Sequence, residues 1–224
     1  MAGVGRACLL LGLVLAAGGI GASIYGARAR RPEWIEVGRR CMYALAATMT
    51  VAFVVLEAAF WRTDLSFDVV AGHSSTTTPL FYRIAAPWSS QEGSLLLWVW
   101  LLSLWSSLAL RLTRNKLAEV APWATAVLLG FAAFFLSMSA FLVSPFGVTD
   151  PAPAEGVGLE PLLRHPSMMI HPPMLYSGYT LFAVPFAFAI GALISGRVDA
   201  EWIRSTRRRA GSRSARRPRT RRAR

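Results

Sequence analysis

The sequence predicts an all-α fold, a polytopic integral membrane bundle of five transmembrane helices, on three observations. Hydrophobic residues make up 54% of the 224 and charged residues only 16%, with a mean hydropathy of +0.42. Five apolar runs are long enough to cross a bilayer, at about 8–27, 41–60, 94–110, 122–143 and 174–194. Glu57 is the one formal charge inside them. No water reaches backbone groups in hydrocarbon, so each run must close its hydrogen bonds within itself as a helix.

The net charge of +12 suggests nucleic acid in a soluble protein, but its placement follows the loops instead. Arg28, Arg30, Arg31, Arg39 and Arg40 fill the first linker, Arg111, Arg114 and Lys116 the third, and twelve arginines follow Ile194. The other side holds only Arg6, Arg62, Arg83 and Arg164. The positive-inside rule then puts the N-terminus and the second and fourth linkers outside the cytoplasm, and the C-terminus within it. The partner implied by this charge is the lipid bilayer, with no nucleic acid. His73, His165 and His171 all fall on the outer side.

The first run is preceded by Arg6 and followed by its arginines, the reverse of a signal peptide, so it is read as a retained span. Gly12, Ala16, Gly19, Ser23 and Gly26 recur at three- and four-residue spacing, a seam along which another helix can approach closely. Cys8 and Cys41 form no metal or redox spacing and open spans of opposite direction, so no disulfide is expected. Glu57, one turn from the outer end of the second span, is expected to reach the interface or to pair with Arg62.

The second linker, 61–93, reads as a polar loop (Gly72-His73-Ser74-Ser75-Thr76-Thr77-Thr78-Pro79) and then a short interfacial segment ending at Trp88. Ser89-Ser90-Gln91-Glu92 gives the S-x-x-E pattern of a capping box, with Ser89 as cap and Glu92 complementing the dipole. In the third span Trp98 and Trp105 share a face, while Trp100 points elsewhere. Such a face serves helix packing or a flat apolar ligand. The fourth span carries no chemistry legible from its residues.

The fourth linker, 144–170, is too rich in proline for a span and is expected to lie on the outer surface and deliver His171. Pro173 suits a first helical turn, which puts His171 just outside the N-terminus of the fifth helix. A residue before proline is driven to extended backbone, so the imidazole is expected to project away from the helix. The dipole there disfavours imidazolium, and neutral imidazole is the form a metal binds. A capping or headgroup histidine is the alternative. His165 is the weaker candidate, and Pro185 is expected to kink the helix. The tail 205–224 holds ten arginines and no acid. It reads as a polybasic lipid-binding tail or, preferred, as a shifted reading frame in GC-rich DNA that truncates the protein after about Thr206.

Two separated motifs carry a resemblance. Tyr82-Arg83-Ile84-Ala85-Ala86 with Trp88 and Glu92-Gly93-Ser94-Leu95-Leu96-Leu97-Trp98 precede His171-Pro172-Pro173-Met174-Leu175-Tyr176 with Gly178-Tyr179. Together they resemble the N-terminal part of the CcmF/NrfE family of haem lyase subunits, from about Gly5 to Arg204. The resemblance implies a bacterial inner-membrane protein of cytochrome c-type biogenesis, with 1–204 as its N-terminal transmembrane region. It implies receipt of haem b from a periplasmic haem chaperone. It also implies ligation of that haem to the CxxCH thiols of apocytochrome c, beside thiol-handling partner subunits. His171 matches the family's first periplasmic haem-ligating histidine, and Trp88, Trp98 and Tyr176 are weaker cofactor-binding candidates. The family's tryptophan-rich segment, second periplasmic histidine and transmembrane histidine pair have no counterpart here. Weak haem binding and no lyase activity are therefore expected of these residues alone. The alternatives are a transporter subunit for haem or another amphipathic ligand, and a membrane scaffold of an assembly complex. Glu57 as the lone polar group in the spans counts against transport.

Overall fold

The computed structural model describes residues 1–114 and 117–196; the arginine-rich tail lies outside the described residues. Seven helices follow in order: α1 (Ala2–Ala29), α2 (Pro32–Arg62), α3 (Asp68–His73), α4 (Leu80–Ala85), α5 (Gln91–Leu112), α6 (Ala121–Phe141) and α7 (Ser167–Ser195). Five of them, α1, α2, α5, α6 and α7, are long and apolar enough to span a membrane, and they cover the five predicted runs. Short 3-10 turns at Ala86–Ser89 and Pro161–Leu163 lead into α5 and α7.

Four of the helices outrun their apolar runs, α6 excepted, because a hydropathy reading stops at the first charge and a helix does not. Pro32 suits the first turn of α2, so Glu33, Glu36, Arg39 and Arg40 are helical. Glu36 there ties Arg39 at 2.8 Å and Arg114, across from the end of α5, at 3.5 Å. What read as a long first linker is a two-residue turn, with Arg30 at φ 52°.

Packing runs in a ring, α1 on α2, α2 on α5, α5 on α7, α7 on α6 and α6 on α1, with α5 also touching α6. The small-residue seam of α1 is its buried face: Gly12, Ala16, Gly19, Ser23 and Gly26 are all buried. A Cβ on Gly19 would stand 2.6 Å from Leu129 Cδ1 and 2.8 Å from Cys41 Cβ, and one on Gly26 2.7 Å from the Ile35 nitrogen. Without a hydrophobic force between helices in lipid, this closeness supplies the dispersion contact that holds the hairpin. Cys8 and Cys41 are both free thiols.

At the end of the bundle that carries His171, the second and fourth linkers are laced together. Asp68 N–H donates to Gly147 O, Thr149 N–H to Ser66 O, Val157 N–H to Ala71 O and Gly158 N–H to Ser74 O, at 2.8–3.1 Å. Glu155 accepts from both the backbone and the hydroxyl of Thr76. These bonds hold its carboxyl below the usual carboxylate range. Arg83 closes the second linker on itself, donating to Thr78 O at 2.6 Å and Thr76 O at 2.8 Å. The polar loop is thus a folded cap.

One expectation is corrected, and one of the two alternatives for Glu57 falls away. Ser90, not Ser89, caps α5: its hydroxyl accepts from Gly93 N–H at 3.0 Å, while Ser89 donates to Ala86 O at 2.6 Å. The 3-10 turn absorbs Ser89 and moves the cap on by one residue. Nor does Glu57 pair with Arg62, whose guanidinium points at Met1 Sδ, 3.9 Å away. Glu57 is half-buried and has no partner among the described residues.

Candidate functional site around His171

His171 is inside α7, not ahead of it, which corrects the sequence expectation. The helix starts at Ser167, nearly two turns ahead of Pro173, and His165 Nδ1 accepts from Ser167 N–H at 3.2 Å and meets Ser167 Oγ at 2.6 Å. The weaker histidine candidate thus stands two residues ahead of the helix that carries the stronger one and is bonded to that helix's first residue. His73, the third, reaches Val69 O at 3.1 Å on its own short helix.

A helix that runs through Pro172 and Pro173 leaves carbonyls without their usual donors. Pro172 has no N–H for Met168 O, and Pro173 has none for Met169 O. The first vacancy is filled from another element: Trp88 Nε1–H donates to Met168 O at 3.3 Å. The same residue anchors a second link, in which Ser94 Oγ donates to Trp88 O at 3.0 Å. Tyr176 Oη in turn donates to Ser94 Oγ at 3.4 Å. Ser94 has one hydroxyl proton and spare lone pairs, so both bonds are compatible. From the next residue of α7, Ser177 Oγ accepts from Trp105 Nε1–H at 3.2 Å.

His171 is thus bracketed. Met168 before it and Tyr176 after it are both tied to the segment that opens α5, and both ties run through Trp88. Its own side chain is exposed and makes no hydrogen bond to the described residues. Exposed apolar side chains surround it in sequence, Ile170 and Met174 on α7, and α4 with Phe81 and Ile84 packs against that helix. No cluster of three or more His, Cys, Asp or Glu occurs among the described residues. One imidazole suits a single axial position on a haem iron and no closed metal site.

The structure brings Trp88 and Tyr176 to the His171 turn but sets Trp98 apart. Trp98 packs on Phe135 with ring centroids 4.2 Å apart, at the wall of a cavity of about 610 Å³ that Phe131, Phe134, Tyr179, Phe182 and Phe186 also line. Phe182 is 77% exposed, so this cavity is a groove in the side of the bundle. At 1.5 Å per residue Phe182 lies about 16 Å along α7 from His171, so the groove extends deeper along the bundle than the histidine. The expected division of faces on α5 holds: Trp98 and Trp105 look toward α6 and α7, while Trp100 stacks on Phe53 and donates to Thr50 Oγ1 on α2. Ser94 and Met168 escaped sequence reasoning. The signal for Met168 was present, since a proline in a helix leaves the carbonyl four residues back without a donor.

Five membrane-length helices and a hydrogen-bonded cap define a polytopic helical membrane protein. A family model described as cytochrome C assembly protein matches residues 88–218. The chain is 39% identical over 213 residues to the cytochrome c-type biogenesis protein CcmF of Escherichia coli, covering 92% of this chain and 32% of that protein. It is 38% identical over 189 residues to CcmF of Haemophilus influenzae, covering 82% and 28%. A solved structure described as cytochrome c heme lyase CcmF superposes with a TM-score of 0.77 at 27% identity, over 92% of this chain and 32% of that one. The chain belongs to the cytochrome c assembly protein family, and it spans about a third of the length of the relatives it matches.

Proposed function

We propose that this chain serves cytochrome c-type biogenesis as the N-terminal, haem-handling part of a haem lyase component, with His171 as an axial ligand of haem b. The observation that carries the reading is an exposed imidazole, free of hydrogen bonds to the described residues, on a helix turn held from both sides. Trp88 and Tyr176 belong to that turn's support and Trp98 to the separate groove. Bound haem would supply the vinyl groups that react with thiols, and the chain's own part is to bind and orient it. A single imidazole gives weak binding, and thioether formation is not expected of these residues alone. The relatives' names and the charge pattern support the rest of the reading. The cap faces the periplasm of a bacterial inner membrane with the C-terminus in the cytoplasm. A periplasmic haem chaperone delivers the ligand. Apocytochrome c and its thiol-handling subunits receive it. In the same reading 1–204 is one transmembrane region.

Haemin titration of the purified full chain in detergent tests this. His171→Ala should abolish the Soret shift that wild type and His73→Ala both give. Equal binding by H171A and wild type would remove His171 from the site.

A further inference from the structure

We infer that Trp88 is a positioning residue for His171, acting as the donor that Pro172 withholds from the α7 ladder. The inference rests on the reading of His171 as the haem ligand for its consequence, though not for its geometry. In an unbroken helix the carbonyl of residue 168 would accept from the N–H of residue 172. Pro172 has none, and the indole of Trp88 stands in its place at 3.3 Å. Met168 lies one turn before His171 on the same side of the helix, so the direction of this turn sets where the imidazole points. The second tie, from Tyr176 through Ser94 to the Trp88 carbonyl, fixes the turn after it.

The arrangement has a use for a surface ligand. A proline-broken first turn held only by itself would fray, because termini are where helices open first. The indole joins the turn to the 3-10 segment Ala86–Ser89, which leads into α5, a long helix packed on three neighbours. The imidazole is then held ready without a hydrogen bond of its own, which leaves both ring nitrogens open to a metal or to water. Trp88 does not touch the ligand in this role.

The test is a double-mutant cycle in the full chain, in detergent, with Trp88→Phe and Pro172→Ala. Phe keeps the ring and removes the donor, while Ala restores a backbone N–H four residues after Met168. The haem-free readout is amide hydrogen exchange over 168–176. W88F should lower protection there by about 2- to 10-fold, the worth of one hydrogen bond, and W88F/P172A should return it to the level of P172A alone. Haemin affinity should fall by a similar factor in W88F and recover in the double variant. Should W88F fail to fold, recovery of a folded chain in W88F/P172A is the same rescue. Unchanged exchange in W88F overturns the inference. So does a loss that P172A does not repair, since Trp88 would then act through packing. If exchange follows the cycle while haemin binding ignores both Trp88 and His171, the positioning stands and the haem reading falls.

Discussion

The Trp88 indole donates to the Met168 carbonyl, joining residues 80 apart in sequence at the one helical carbonyl before His171 whose ladder donor Pro172 removes. The bond replaces the ladder donor that the first of the two consecutive prolines removes. A proline inside a helix costs about 3 kcal/mol or more, partly through the lost bond and partly through ring–carbonyl crowding. The indole addresses the first part only. Crowding, and the Met169 carbonyl that Pro173 leaves without its ladder donor, are the residual cost, and they fall on a turn that the chain keeps at its surface.

Ser94 is the hinge of the second tie, and its two bonds are unequal. Tyr176→Phe removes only the 3.4 Å bond and is expected to cost about 0.5 kcal/mol. Ser94→Ala leaves Trp88 O and Tyr176 Oη both without their partner and should cost about 1–2 kcal/mol. Unfolding free energies of the two variants, measured by steric trapping in one detergent, should keep that order.

Gly93 is held by the fold and Gly130 is not. A Cβ at Gly93 would collide with the Pro87 carbonyl that the 3-10 turn folds over the start of α5, whereas one at Gly130 meets nothing within 4 Å. Gly93→Ala should destabilise by about 1–3 kcal/mol or displace the Ser90 cap. Gly130→Ala should be neutral or slightly stabilising, through its better helix propensity. A thermal-shift comparison of the pair decides it, and equal midpoints would contradict the packing described at Gly93.

The cap should loosen in acid. Hydrogen bonds from Thr76 and Gly156 hold the Glu155 carboxyl below its usual value, so the ionised form favours the folded cap. For a depressed carboxyl, stability is fully present above the unfolded-state pKa and is lost as pH falls through the folded one. Hydrogen exchange at 71–78 and 155–158, corrected for intrinsic rate, should therefore rise at pH values below the ordinary glutamate range. Thr76→Ala should flatten that dependence, while His73→Ala should leave it.

Orientation follows from the proposal and can be read in intact cells. A cysteine at Thr76 in the cap should react with a membrane-impermeant maleimide, and one at Arg114, at the opposite end of α5, only after lysis. The free Cys8 and Cys41 lie within spans and serve as the background. The reverse labelling pattern would invert the topology and take His171 away from the periplasm.

The sequence by itself determined the five spans, the buried seam of α1 and the opposed faces of Trp98 and Trp100, because hydropathy and helical period are local properties. It also marked His171, through the motif around it. The tertiary structure decided what holds His171. Trp88, Ser94 and Met168 meet across elements, and no period within one helix brings them together. Local pattern also misled where tertiary contact overrode it. The capping box slid by one residue because the 3-10 turn recruited Ser89. Glu57 and Arg62 did not pair, because Arg62 points at Met1 on the neighbouring helix. The start of α7 moved back nearly two turns, to a first residue bonded to His165, and Trp88 offsets a proline that, taken alone, ends helices. Hydrogen-bond donors supplied from distant residues are invisible to sequence period, and at this site they set the backbone that carries the imidazole.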